Sequence, residues 1–223
     1  MYAHFGIARL RKLQEEIKNK VILEDSINIS EIKKIAGFDA AAVPAAKGQP
    51  EQLVCGSVVM SFPQLEVIEK RTLVKKAPMP YVPTLLAFRE GPLILESYYN
   101  LENEPDVILV DGHGIAHPNK AGLATYIGVE LAKPTIGVAK SLVAGELKGS
   151  DIVLENEVVG MVVQTKQYAR PIFVSPGNLI TIKSAVEIVL KCIRPPHKMP
   201  EPLHFAHRIA KRKAEELLEK KTE

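Results

Sequence analysis

Residues 106–118, DVILVDGHGIAHP, open as an unbroken apolar run and close, from position 111, on a carboxylate, two imidazoles, two glycines and a proline. A short apolar run that ends on turn residues reads as a strand buried on both faces. Downstream, AGLATYIGVELA (121–132) has the composition of a helix ended by Pro134, and PTIGVAK (134–140) is a second apolar run. Strand, helix and strand in that order make a βαβ unit, whose strands run parallel under a covering helix. Asp111 then falls at the carboxyl end of a parallel strand, the edge where ligands of open α/β sheets gather. Gly112 and Gly114 let the chain turn sharply, and Pro118 stops it from continuing as a helix.

Upstream, IAGFDAAAV (35–43), QLVCGSVVMSF (52–62) and LEVIEKRTLVKK (65–76) are rich in β-branched residues and bounded by Gly or Pro. They predict an antiparallel meander of three strands. ARLRKLQEEIKNK (8–20) spaces Leu10, Leu13 and Ile17 as an amphipathic helix. TLLAFREGPLILESYYNL (84–101) is helical in composition, with Gly91-Pro92 expected to bend or interrupt it. EVVGMVVQT and RPIFVSPGN add strands, TIKSAVEIVLKCI a helix, and EPLHFAHRIAKRKAEELLEKK a last helix with Pro202 in its first turn. The expectation is one α/β domain over 1–223: a mixed sheet, an antiparallel triplet joined to parallel strands, with helices on both faces.

The 223 residues suffice for one substantial core, and a net charge of +3 permits an anionic partner without demanding one. Two distant cysteines outside any CxxC arrangement suggest neither a disulfide framework nor structural zinc. The first residues lack an export signal and no run approaches a membrane span, so a cytoplasmic protein is expected. The charged ending interleaves Glu215, Glu216 and Glu219 with lysines at helical spacing, which reads as a solvated helix face.

Three acids stand out. Asp39 is the only charge in its strand, so either its face meets water or something positive sits there. Asp111 either caps a local bend or belongs to a site. Glu90 is a surface helix residue or a ligand folded back across the sheet edge. If the first strand and the 106–112 strand are neighbours, Asp39 and Asp111 meet; carboxylates so close protonate unless cations are bound. Hard oxygen ligands suit Mg²⁺ or Mn²⁺, and phosphodiester hydrolysis is the reaction class such ions serve. Lys140 could reach the same edge and offset phosphate charge, or be mere surface. His113 and His117, four apart, would share a face on a helix, but the glycines argue against one and no HExxH completes a zinc site. The HxE and PCxxC ligands of a zinc deaminase are absent.

IAGFDAA, PYVPTLLAFREGP, VDGHGIAHP, GLATYIGVEL, PTIGVAKS, VSPGN and MPEPLHFAHRIA, in this order from about Gln14 to Arg212, resemble the successive blocks of the endonuclease V family. The resemblance implies a ribonuclease H-like fold and a Mg²⁺-dependent endonuclease, with Mn²⁺ able to substitute. It implies recognition of deoxyinosine and hydrolysis of the second phosphodiester bond on its 3′ side. Asp39, Glu90 and Asp111 match the family's metal-binding acids, and His117 and Lys140 its positions near the reacting phosphate. Pro80, Tyr81, Val82 and Pro83 match its wedge, in which the tyrosine replaces the evicted base in the stack; the base would enter a pocket near Leu86, Gly112 and Gly122. The expected partner is inosine-containing DNA, with single-stranded DNA or RNA as alternatives, met by a monomer. The chain departs from the pattern at Asn178, where many relatives have a histidine, and at Thr84, where glycine is common. Asn178 is the one feature favouring a protein that binds inosine without cutting; Thr84 would narrow the base pocket.

Overall fold

A computed structural model describes residues 6–46, 48 and 50–222, so the absence of an export signal falls partly on residues 1–5, outside the described residues. After helix α1 (Ile7–Lys18) come the three expected antiparallel strands, β1 (Lys34–Val43), β2 (Gln52–Ser61) and β3 (Val67–Lys76). The βαβ unit follows helix α2 (Leu86–Tyr99) as β4 (Val107–Asp111), α3 (Leu123–Leu131) and β5 (Thr135–Ala139). Next come β6 (Glu146–Lys148), β7 (Asp151–Leu154), β8 (Glu157–Val163), β9 (Ile172–Asn178), α4 (Ile182–Lys191) and α5 (Glu201–Thr222). The sheet order is β3-β2-β1-β4-β5-β9-β8-β7-β6, with β1, β4 and β5 mutually parallel at its centre.

Period-two alternation explains why the central strands read as continuous apolar runs. On β4, Val107 and Leu109 join the core formed with α4 and α5, while Ile108 and Val110 join the core formed with α2 and α3. Both faces are therefore covered by helices, as expected. Phe38 on β1 pairs with Val110 on β4, which puts Asp39 and Asp111, the next residue of each strand, side by side. They share the parity of Leu109, so both carboxylates belong to the face that α5 covers.

Two local expectations need correction. α2 runs without interruption through Pro92. Proline removes one helical hydrogen bond, but packing outweighs that loss: Leu93 and Ile94 are buried on the sheet, and a side chain at Gly91 would strike the Tyr126 ring at 2.4 Å. The second concerns β6 and β7, which were not anticipated because three or four residues are too few to show alternation. Their signal was in the turns: Glu155 and Asn156 both have positive φ, the requirement of a two-residue type I′ hairpin loop, and Leu154 pairs with Glu157 across it.

α5 lies almost in contact with the backbone of β1 and β2. A Cβ on Gly37 would stand 2.3 Å from the Pro202 carbonyl group, and one on Gly56 2.3 Å from the Ala206 oxygen. Backbone cannot yield as a side-chain tip can. Gly37→Ala should therefore cost about 1–3 kcal/mol, read as a fall of several degrees in melting temperature, with little change expected in a Gly6→Ser control, where nothing lies within 4 Å of the added atom and φ is −52°.

Candidate metal centre and adjoining base cavity

Asp39, Asp111 and His207 each offer one ligand atom, and these atoms all lie within 4.8 Å of one another. β1 and β4 supply the carboxylates; α5, held close by the two glycines, supplies the imidazole. The His207 Nδ1 lies 2.7 Å from Asp39 Oδ2, while the Ala40 N–H donates to Asp39 Oδ1 at 2.8 Å. Lys140, just past β5, donates from Nζ to Asp111 Oδ2 at 2.5 Å. A lysine and an imidazole thus flank the two aspartates. The hydrogen bond to Asp39 raises the pKa of His207; for Lys140 burial, the largest cause, acts downward, and the charge of Asp111, the hydrogen bond to it and the charge of Asp39 together outweigh it to leave the pKa raised. Asp111 itself is pushed up, first by burial and then by the charge of Asp39.

Glu90, on α2, approaches from the other side of the sheet edge. Its pKa is raised to about 8 by burial and by the charges of Asp39 and Asp111, against the pull of Arg89. The donor set fits a hard divalent cation: a reach of about 2.0–2.1 Å to each ligand spans atoms roughly 4 Å apart, so small side-chain shifts close the observed cluster. Among the described residues no other such cluster of three occurs. His207 was not singled out from the sequence, although it lies in the block MPEPLHFAHRIA; its partner is 168 residues away, and only the crossing of α5 over β1 reveals it.

His113 and His117 do not form a zinc pair. The segment after β4 is an irregular loop in which the Ile115 N–H donates to the Pro176 carbonyl and Ala124 N–H to the His113 carbonyl. His113 Nε2 lies 2.9 Å from the Ser141 carbonyl oxygen. His117 Nδ1 accepts from the Asn119 N–H, the ring also meets the Thr84 backbone, and burial lowers its pKa to about 4. His117 stands apart from the carboxylate cluster and lines a cavity of about 210 Å³ together with Tyr81, Thr84, Leu86, His113 and Gly122. Gly112 is not among the lining residues; it packs behind Leu123, where an added Cβ would lie at 3.3 Å. The N-termini of α2 and α3 both open onto this cavity, and neither has a side-chain cap. At the α3 end the Gly122 and Ala124 N–H groups already donate to the Gly114 and His113 carbonyls, so the groups left for an acceptor are the N–H of Leu86 and of Leu123, the first residue of each helix.

Tyr81 is 65% exposed, yet the loop that carries it is fastened on both sides. Buried Arg89 donates to the Met79 carbonyl and to Glu51. Gln14, fully buried on α1, donates from Nε2 to the Thr84 carbonyl at 2.7 Å and accepts from Asn119 through Oε1 at 2.6 Å. The Leu85 N–H donates to the Val82 carbonyl, closing a turn with Pro83 second and Thr84 third at φ +67°. That is the pattern of a type II turn, which wants glycine at the third position. Thr84 therefore bears left-handed strain, and its buried hydroxyl has no hydrogen-bond partner among the described residues.

Asn178 has no part in the centre. It pairs with Thr135 at the opposite end of β5, where its Oδ1 accepts from the Ile22 N–H and its Nδ2 donates to the Gly128 carbonyl, each at 2.9 Å. The departure it marks is a structural bridge. Both cysteines are free and buried, and no helix among the described residues is long and apolar enough to cross a membrane.

Two outcomes follow from these geometries. Left-handed backbone costs a β-branched residue about 1–2 kcal/mol and glycine in its place loses about 0.5–1 kcal/mol of chain entropy, so Thr84→Gly should raise stability modestly, visible as a higher melting temperature. Glu90, with its folded pKa above 4.5, favours the folded chain fully at low pH, and that contribution disappears as pH rises from about 4.5 through about 8. Metal-free protein should lose stability across that window in denaturant titrations, and Glu90→Gln should flatten the loss. An ion that captures the carboxylate should displace about one proton at pH 7, measurable by calorimetry in buffers of different ionisation enthalpy.

Comparison with known proteins agrees with this architecture. The family model described as Endonuclease V matches residues 15–208. Endonuclease V of Archaeoglobus fulgidus is 37% identical over 217 residues, covering 95% of each chain. A crystal structure of the Bacillus subtilis endonuclease V superposes with a TM-score of 0.88 at 32% identity, covering 99% of this chain and 97% of that one. The Ciona intestinalis endonuclease V, crystallised with a 24-mer DNA containing an inosine followed by a ribo-adenosine, gives a TM-score of 0.85 at 30% identity over 95% of this chain and 98% of that one. With the parallel centre, the flanking meander and these relatives in accord, the chain belongs to the endonuclease V family of nucleases and carries its ribonuclease H-like fold.

Proposed function

We propose that this chain, acting as a single catalytic unit and as a cytoplasmic monomer, recognises deoxyinosine in DNA and hydrolyses the second phosphodiester bond on its 3′ side with Mg²⁺, or with Mn²⁺ in its place. The observation that carries the reading is the meeting of Asp39, Asp111 and His207 ligand atoms within 4.8 Å beside a cavity lined by Tyr81. A divalent ion bound there supplies activation of water and stabilisation of charge on the phosphoryl centre. Asp39, Asp111 and His207 hold it, with Glu90 joining once its proton is gone. Lys140 pulls the pKa of Asp111 back down against burial and the charge of Asp39, and offsets phosphate charge. His117, neutral above about pH 4, serves as a fixed hydrogen-bonding wall of the cavity rather than as a titrating base.

Base recognition follows from the same geometry. Pro80, Val82 and Pro83 stiffen the loop, so Tyr81 enters the stack with little ordering cost. The extruded base meets the uncapped helix ends beside Gly122, where the Leu86 and Leu123 N–H groups match O6 of inosine and oppose the amino group of adenine. Gly112 contributes indirectly, by letting Leu123 close against the loop. A reading as a non-cleaving inosine-binding protein loses its support, since Asn178 is remote from the acids. RNA as substrate has one observation in its favour, the ribo-adenosine after inosine in the Ciona complex.

The test is nicking of end-labelled DNA and RNA strands, each with one inosine or one adenine, in Mg²⁺, Mn²⁺ or chelator. Cutting of inosine strands only, and only with metal, is expected; equal cutting of adenine strands would overturn lesion recognition. Asp39→Ala should abolish nicking while lesion affinity persists. Tyr81→Ala should weaken lesion binding by roughly 5- to 150-fold, the equivalent of about 1–3 kcal/mol of stacking.

A further inference from the structure

α5 carries charge that its contacts with the sheet do not use. Between its outer side and edge strand β3 runs a groove of about 470 Å³ whose lining includes Lys70, Phe205, Arg208, Lys211, Arg212 and Glu215, four cations against one acid. The four cationic residues are all exposed. Phe205 forms the floor, with Lys70 Nζ 5.2 Å from its ring centroid. The helix-face pairing expected from the sequence holds for part of the charge: Lys211 lies 3.8 Å from Glu215 and Arg212 3.4 Å from Glu216. Those pairs are long and solvent-exposed, so a phosphate can replace them at little cost. Neither Lys70 nor Arg208 is paired with an acid in any ion pair among the described residues.

We infer that this groove seats the sugar–phosphate backbone of the nucleic acid flanking the lesion, as a contact separate from the metal centre and the base cavity. The inference rests on the proposed substrate being a nucleic acid. Continuity with the centre favours that occupant over an acidic protein. His207 and Lys211 are four residues apart and share one helix face, which puts the rim of the groove about 6 Å along the axis from the imidazole beside Asp39. A backbone leaving the centre over α5, about 10 Å across, reaches the groove within roughly three nucleotides at a rise of 3.4 Å. The charges are at hand, and contacts that they make to phosphate add affinity independently of sequence.

The experiment compares inosine strands and duplexes of 24 nucleotides with ones truncated to two nucleotides on the 5′ or the 3′ side of the lesion. Wild type is set against Lys70→Ala/Arg208→Ala/Arg212→Ala, with Lys148→Ala on the opposite edge strand as a charge-loss control. The full-length substrate should outbind at least one truncated form, and the triple variant should lose that advantage about tenfold, with the slope of log affinity against log salt falling by about 2–3. An unchanged advantage and slope, or an equal loss in the Lys148→Ala control, overturns the inference. If wild type cuts no inosine strand but still shows a groove-dependent salt slope, the proposed function fails and the groove stands. Circular dichroism of the triple variant, whose altered side chains are exposed, confirms that the fold is intact.

Discussion

Two carboxylates on adjacent parallel strands repel each other, and much of the molecule is arranged around that repulsion. Asp39 and Asp111 end up side by side because β1 and β4 pair in register at the centre of the sheet. Left alone, such a pair would be relieved by protonation or by a shift of the strands. The chain instead meets each acid with a basic partner from a different element: Lys140 after β5 for Asp111, and His207 on α5 for Asp39. Glu90 takes the remaining burden by staying neutral until something more positive arrives. The acids are thus partnered without an ion, through groups that an ion can displace.

That arrangement constrains the packing around it. α5 has to cross β1 and β2 nearly in backbone contact for His207 to reach Asp39, so Gly37 and Gly56 leave no room for side chains. The loop after β4 must turn tightly between β5 and β9; a side chain at Gly114 would collide with the Pro176 carbonyl and one at Gly122 with that of His113. The same tightness closes the wall of the cavity against which Tyr81 stands. Metal centre and cavity are therefore two sides of one loop, and the sheet edge fixes the distance between them.

The sequence made the centre of this fold legible and its margins less so. Apolar continuity at 107–110 pointed to a buried parallel strand, and the two aspartates were expected to meet if that strand and the first one were neighbours, as they are. The proline in α2 misled because local propensity was outweighed by packing against Tyr126, a contact made across helices. β6 and β7 escaped because strands so short have no period to detect. His207 escaped for a different reason. Its position in a charged amphipathic helix looks like solvent exposure, and half of its side chain is exposed; only the tertiary crossing gives it a partner. Gly112, expected at the base pocket, lies behind its wall, and Asn178, expected near the chemistry, ties β9 to the chain that follows α1.

The turn that presents Tyr81 is secured through Gln14, and Gln14 belongs to a helix of twelve residues of which only Leu10, Gln14 and Ile17 are buried. Segments with so few interior contacts open locally at far lower free energy than the whole molecule. The Tyr81 turn is thus tied, on one of its sides, to a thinly anchored helix. Variation at the buried Leu10 or Ile17 can loosen that turn by letting α1 detach, while the sheet, the acids and the bulk of the fold persist unchanged.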